Sequence, residues 1–189
     1  MTNHKCEKCG GPLRTRRENV PWDALPHATL LGVEVQRCVA CGNFGIVFPS
    51  MDGLIEEATR VLLDKPGRLV GAEIRFLRSL LGLDSVDLAP LLGANPSTLS
   101  RWEHDKQPIG WPSDLLLRAF VRGQRGEPVL PAKPPTDMET PWELGFEVRN
   151  GRWTAKVTGG VVPRGPAKVK IVPRPPVSTE LKILRARRS

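Results

Sequence analysis

The fold of this chain is decided by residues 80–103, which read LLGLDSVDLAPLLGANPSTLSRWE. Apolar residues recur at helical spacing on both sides of a turn that contains glycine. Asp84 or Ser85 can cap the first short helix, and Asn95, followed by Pro96, can cap the second. Two short helices joined by a glycine turn, the second small and polar at its start, predict a helix-turn-helix.

The second helix of this motif is predicted to run from Pro96 to His104, with Leu99 and Trp102 facing the core. In a helix-turn-helix this helix enters the major groove of DNA and places its N-terminal residues on base edges. Arg101 can pair bidentately with guanine, and small hydroxyl side chains can reach bases or phosphates. We therefore expect the DNA-binding residues to be Ser85, Asn95, Ser97, Thr98, Ser100, Arg101 and Lys106.

All four cysteines fall in two matching units, Cys6-Glu7-Lys8-Cys9-Gly10 and Cys38-Val39-Ala40-Cys41-Gly42. Each unit turns the chain tightly enough for two thiolates to bind one metal ion, and the glycine that follows can adopt a positive φ. Disulfides would need an oxidising compartment, and a thioredoxin-like pair would need a single unit in a βαβ pattern. Four thiolates form the tetrahedral donor set of structural zinc and leave no position for water. We expect one structural zinc ion, held by Cys6, Cys9, Cys38 and Cys41.

The chain divides by composition into four parts. Residues 1–49 contain short β-like runs, residues 50–70 a connecting helix and linker, and residues 71–125 the helices of the helix-turn-helix. Residues 126–189 are rich in proline and basic side chains. The predicted fold class is α+β: a small N-terminal four-cysteine zinc-ribbon-like domain, an all-α helix-turn-helix domain and a largely disordered basic C-terminal tail.

The net charge of +8 over 189 residues belongs to the C-terminal part of the chain. Residues 1–121 hold 14 basic and 14 acidic side chains, whereas residues 122–189 hold 14 basic and 6 acidic side chains. Because the tail is basic and rich in proline, we expect it to be largely disordered and to add sequence-independent affinity for phosphate. Alternating apolar and polar residues around Asn150-Gly151 predict a hairpin over residues 143–157, either weak or docked on another part of the chain.

Membrane and enzyme functions are not expected. No stretch approaches the roughly 20 apolar residues of a membrane helix. Residues 1–10 lack the apolar segment of a signal peptide, so we expect a cytoplasmic protein that is associated with the bacterial nucleoid. The chain carries no G-x-S-x-G, H-E-x-x-H or phosphate-loop motif, and its one predicted metal site is closed to substrate.

Several residues have a structural interpretation beside the functional one. Trp102 is expected in the core, and Glu103 in a surface ion pair. The predicted last helix, Ser113 to Arg122, either completes the helical core or forms a dimer face. Two interpretations stay open for the basic residues of the connector, which either contact phosphate or are solvated: Arg60, Lys65 and Arg68.

Three segments carry a resemblance to a known family: residues 80–83, residues 87–93 and residues 97–103. They resemble the DNA-binding domain of the Cro/C1 repressor-like (XRE) family. The family usually has a glutamine where Ser85 stands, and Pro90 lies inside the first helix of the motif. Together with the two cysteine units, residues 1–125 resemble the YgiT-type zinc-finger/helix-turn-helix proteins, which include the MqsA antitoxins.

The resemblance implies a structural zinc at the four cysteines, a homodimer formed through the C-terminal domain, and a repressor of its own operon. It also implies that Arg101 contacts a base or a phosphate, while Ser97 stands where some members read a base with asparagine. The expected function is therefore a dimeric, sequence-specific DNA-binding repressor with double-stranded DNA as its partner. The alternative is an antitoxin that masks a toxin protein through its zinc domain.

Overall fold

The computed structural model describes residues 5–129 and 143–158. These residues form a mixed α/β structure with five helices and a five-stranded sheet. In chain order the elements are β1 (Leu13–Trp22), β2 (Leu25–Cys38), β3 (Phe44–Val47), α1 (Met51–Leu63), α2 (Gly71–Leu81), α3 (Ser85–Leu91), α4 (Pro96–Glu103), α5 (Trp111–Gln124), β4 (Glu143–Arg149) and β5 (Arg152–Thr158).

The sheet is built around β2, the longest strand. β1 pairs with it in antiparallel orientation along one side. On the other side, β3 pairs with residues 34–37 of β2 and β4 pairs in parallel with residues 28–31. Gly32 lies between these two ladders with a φ of +60°, at a break in the β1–β2 register. β3 and β4 therefore lie end to end along β2, and β5 adds an outer strand beside β4.

The predicted hairpin is confirmed, and it is docked on the rest of the chain. Asn150 and Gly151 both have positive φ values, 50° and 73°, as a two-residue type I′ turn requires. Trp153 Nε1 donates to the carbonyl of Ser50 at 2.7 Å, and the amide of Ala155 donates to Glu57 at 3.0 Å. Of the two alternatives predicted for this hairpin, weak or docked, the structure shows the docked one, because strand pairing with β2 and contacts to α1 and its N-cap hold residues 143–158 in place. The rest of the tail, residues 130–142 and 159–189, lies outside the described residues.

One continuous apolar core joins the sheet to the helices. Leu30 and Phe146 are adjacent partners on the inner face of the sheet, and both are buried. The ring of Trp22 meets Phe146 edge-on at 5.6 Å and Phe76 of α2 at 5.7 Å. Because edge-to-face aromatic pairs add to the burial of apolar area, this cluster fixes α2 against the sheet.

The connector between α1 and α2 is fixed by buried charges. Both carboxylate oxygens of Glu73 accept from Lys65 Nζ, at 2.9 and 2.7 Å, and Lys65 is only 6 % exposed. The Arg118 guanidinium donates to carbonyls at the end of α1 and in the connector, including those of Leu62 and Gly67. Carbonyls at a helix C-terminus need such donors. Both interpretations offered for Lys65, phosphate contact and solvation, are therefore wrong.

The helical part differs from the prediction at its ends and in one side chain. α5 runs two residues further than predicted in each direction, and α4 ends at Glu103, one residue earlier than predicted. Trp102 lies in the core, as predicted. Glu103 does form an ion pair, with Arg78 Nε at 2.6 Å, but it is buried rather than on the surface. No helix in the described ranges is long and apolar enough to cross a bilayer.

Candidate metal centre and nucleic-acid interface

The two cysteine units form matching turns. The amide of Gly10 donates to the carbonyl of Cys6 at 2.7 Å, and the amide of Gly42 donates to that of Cys38 at 3.1 Å. Both glycines have a φ near +70°, a conformation that other residues adopt only with strain. A third glycine, Gly11, packs against both turns, since a Cβ added there would lie 3.2 and 3.3 Å from two cysteine sulfurs. The backbone of each unit therefore has the form that the spacing predicts.

The four cysteine sulfurs lie within 4.8 Å of one another, although the units are far apart in sequence. The Sγ–Sγ distances are 3.7 Å for Cys6–Cys41, 3.5 Å for Cys9–Cys38 and 3.4 Å for Cys9–Cys41. A tetrahedral ion with metal–sulfur bonds of about 2.3 Å requires edges of about 3.8 Å. A small adjustment would therefore admit one tetrahedral ion, so the cluster could hold a metal such as zinc.

The backbone around the cluster favours the thiolate form of the two buried cysteines. Cys6 and Cys38 are buried, whereas Cys9 and Cys41 are exposed. A hydrogen bond from the backbone of Lys8 is the main cause that lowers the pKa of Cys6, to about 6. A backbone hydrogen bond from Cys41 likewise lowers the pKa of Cys38. Cys9 differs, because a backbone hydrogen bond from Gly11 lowers its pKa but the neighbouring thiols of Cys41 and Cys38 raise it to about 12. The backbone therefore stabilises negative charge at Cys6 and Cys38, whereas a metal ion, which needs deprotonated thiols, would have to displace the proton of Cys9.

α3 and α4 are two short helices joined by a turn at the positions predicted for the helix-turn-helix. Asp84 caps α3 by accepting from the amides of Val86 and Asp87, at 2.8 and 2.9 Å. Gly93 turns the chain with a φ of +69°. Four residues that share the core side of the two helices and the turn are buried: Leu88, Leu92, Leu99 and Trp102. The opposite face of α4 is left to solvent.

The predicted DNA-binding residues lie mostly on that solvent face. Ser97, Ser100 and Arg101 are exposed on α4, and Thr98 is half-buried beside them. Lys106 is exposed just after α4, where its amide donates to the carbonyl of Arg101 at 2.9 Å. α4 and the residues around it thus present most of the predicted interface on one surface, and their contact with DNA stays a prediction.

Asn95 and Ser97 have structural partners at the start of α4. The Asn95 side-chain oxygen accepts from the amide of Thr98 at 2.8 Å and from the hydroxyl of Ser97 at 2.7 Å. Asn95 therefore retains only its amide nitrogen for an external acceptor, while Ser97 can still accept through its oxygen. Ser85 is half-buried at the first position of α3, on the neighbouring helix.

The structure confirms one of the two interpretations that the sequence left open for α5, and the dimer face stays a prediction. Leu117 and Val121 are buried in the helical core, so the helix completes that core. Leu115 and Leu116 are 37 % and 38 % exposed on the other side of the same helix. This exposed pair is available for an apolar contact with another molecule.

The sequence interpretation missed the arginines of β1. Arg14, Arg16 and Arg17 are all exposed on this edge strand. Their signal in the sequence was three arginines within four residues, which the balanced charge of residues 1–121 concealed.

A comparison of the chain with models of protein families, with curated proteins and with solved structures finds no match.

Proposed function

We propose that the chain is a zinc-containing, sequence-specific DNA-binding regulator that acts as a dimeric repressor. It occupies a promoter and blocks transcription sterically, so no catalytic step is needed. The proposal includes a location in the bacterial cytoplasm, at the nucleoid. The observation that carries the proposal is the exposed polar face of α4. The opposite side of α4 packs against α3 through buried apolar residues.

Arg101 supports this proposal most directly. Its guanidinium is exposed, and no carboxylate in the described part of the chain makes an ion pair with it. A guanidinium can donate two parallel hydrogen bonds to O6 and N7 of guanine. The exposed Leu115 and Leu116 of α5 supply a surface for a two-fold dimer, which would place two α4 helices on half-sites about 34–36 Å apart.

The metal serves the fold in this proposal. Four thiolates complete a tetrahedral shell, so zinc would have no open position for water or substrate. The buried Cys6 and Cys38 would hold the ion on the protein side, and the exposed Cys9 and Cys41 would hold it on the solvent side. Zinc bound in this way contributes to the folding free energy of the cysteine units.

Selection of binding sites from a pool of random duplexes tests the function. The purified, zinc-loaded chain should enrich a palindromic motif, and Arg101→Ala should weaken binding to that motif by about 1–3 kcal/mol. Arg75→Ala is the matched control, because Arg75 is an exposed arginine on α2 outside the motif. Failure to enrich any motif, or equal losses for the two variants, would contradict sequence-specific binding through α4.

The antitoxin alternative rests on the resemblance alone. It predicts that the zinc-loaded chain forms a stoichiometric complex with a small toxin protein encoded beside it. Co-expression of the chain with the products of its neighbouring genes, followed by size-exclusion chromatography, checks this alternative. A neighbouring toxin that co-elutes with the chain would make masking its main role, and its absence would leave the regulator.

A further inference from the structure

Three arginines meet on one face of the sheet at its cysteine end. Arg14 of β1 lies directly opposite Arg37 of β2, and Arg16 lies opposite Val35 two residues further along the same face. Residues that face each other across antiparallel strands have Cβ atoms about 4.5–5.5 Å apart. The three arginines therefore occupy neighbouring positions on one face of the sheet, and we call Arg14, Arg16 and Arg37 the arginine row.

The arginine row is poorly compensated by the rest of the chain. Glu18 accepts from Arg37 at 2.8 Å, and the Arg37 guanidinium lies 4.9 Å from the centre of the Phe44 ring. No carboxylate among residues 5–129 and 143–158 makes an ion pair with Arg14 or Arg16. Like charges directly opposite each other destabilise a strand pair. An anion between these side chains would remove that repulsion.

The neighbouring Arg17 differs in both respects. It points to the other face of the sheet, and its cross-strand partner is Glu34, which carries the opposite charge. The edge of a sheet commonly carries charged side chains that prevent pairing with other chains. That general role fits Arg17 as well as Arg14 and Arg16. It does not explain why two arginines stand opposite each other on one face.

We infer that the arginine row binds the phosphate backbone of duplex DNA. Guanidinium groups suit phosphate because they donate two parallel hydrogen bonds to its oxygens. Arg37 is held in place by Glu18 and Phe44, while Arg14 and Arg16 are exposed on the same face. The sheet thereby supplies phosphate contacts that are independent of base sequence, and α4 reads the bases. This inference rests on the proposed function.

The arginine row would also suit two anionic groups other than DNA, and each predicts a different result. An ion bound by four thiolates carries net negative charge, so the row, which begins beside Cys38, could instead neutralise the metal centre. The row could also bind an acidic protein surface, since carboxylates accept from guanidinium as phosphates do. Duplex DNA is favoured because the same chain presents the exposed face of α4.

The test measures how the affinity for DNA depends on salt. The full-length, zinc-loaded chain is titrated with a 30-bp duplex of arbitrary sequence between roughly 50 and 200 mM NaCl, the range over which phosphate contacts are lost. Arg14→Gln/Arg16→Gln should make the slope of log Kd against log salt shallower by about 1.8, because each lost phosphate contact removes about 0.9. Arg17→Gln/Arg152→Gln removes the same charge from the other face and should leave the slope nearly unchanged.

Each result decides the inference. Equal changes of slope in both double variants would show a general charge effect. An unchanged slope in Arg14→Gln/Arg16→Gln would mean that the row binds another partner, such as an acidic protein. Either result overturns the inference. Zinc content and chelator competition are measured on the same samples, and a selective loss of zinc in Arg14→Gln/Arg16→Gln would assign the row to the metal centre. Because the duplex has arbitrary sequence, the result does not depend on site selection, whose failure would contradict only base reading by α4.

Discussion

The buried ion pair between Lys65 and Glu73 gives the sharpest prediction about the fold. Glu73 is fully buried on α2 and accepts from Lys65 twice and from the amide of Val70 at 2.9 Å. His27 of β2 completes the surroundings, with Nε2 3.2 Å from a Glu73 oxygen. Lys65→Met would leave a carboxylate in the core without its main counter-charge.

The expected loss follows from what remains buried. Removing one partner of a buried ion pair costs about 3–5 kcal/mol of unfolding free energy, because the other charge stays desolvated. Lys65→Met and Glu73→Leu should each fall in this range. The double variant removes both charges, and an apolar replacement of a buried pair is often close to neutral. It still leaves the amide of Val70 without its acceptor, so we expect a loss of about 1–2 kcal/mol.

Urea unfolding of the zinc-loaded chain at pH 7, followed by tryptophan fluorescence, measures these values. The double variant should be more stable than either single variant. Single losses below about 1 kcal/mol, or a double loss equal to the sum of the single losses, would refute the buried pair. Glu56→Gln, an exposed substitution on α1, is the control and should change stability by less than about 0.5 kcal/mol.

The Glu73 carboxyl also makes the free energy of unfolding depend on pH. Burial raises the pKa of Glu73, but the His27 imidazole and the Lys65 ammonium lower it by more, to below its ordinary value of 4.5. A carboxyl whose pKa is lower in the folded state stabilises the fold above its unfolded pKa. That stability is lost as the pH falls through the folded pKa. Unfolding free energy should therefore decline below about pH 4.5, and Glu73→Gln should lack this part of the decline.

Three further predictions concern the backbone, the tail and the metal. Gly71→Ala should lower the free energy of unfolding in urea by several kcal/mol, which is at the upper end for single substitutions. The reason is that the new Cβ would lie 2.4 Å from the carbonyl oxygen of Glu103. Wild-type stability of this variant would contradict the close approach. Deleting residues 159–189 should weaken binding to all duplexes alike. Deleting residues 143–189 should give a lower melting temperature than deleting residues 159–189, because it also removes the docked hairpin; equal melting temperatures for the two deletions would contradict that docking. Chelation should unfold the β1–β2 end, seen as loss of amide protection at Cys38; unchanged protection would contradict a structural metal.

Local signals predicted the parts of the fold that depend on neighbouring residues. The two cysteine units, the caps at Asp84 and Asn95 and the turn at Asn150-Gly151 all have the predicted form. Each depends on a backbone conformation that a few adjacent residues determine, such as a positive φ at glycine or a side-chain cap. The apolar positions of the helix-turn-helix are in the same class, since helical spacing places Leu99 and Trp102 on one face.

Features that depend on distant residues could not be predicted in this way. The parallel pairing of Leu30 with Phe146 joins segments more than a hundred residues apart, and no local pattern indicates which strand a hairpin will join. Lys65 and Glu103 appeared to be surface charges, because their partners Glu73 and Arg78 become neighbours only after the helices pack. The arginine row has the same origin, since the register of β1 against β2 places Arg14 opposite Arg37.

The position of the four cysteines limits how a bound zinc ion would act in the proposed DNA recognition. β2 extends from Leu25 to Cys38, so the cysteine end of the strand lies about 40 Å from its start. His27, near the start, contacts Glu73 of α2, and Gly71 at the N-terminus of α2 packs against the end of α4. If the proposed function holds, zinc would act on α4 only through the sheet, the contacts of Glu73 and α2. Its loss should reduce DNA affinity through the position of α4 and the arginine row, while Arg101 itself stays free to contact a base.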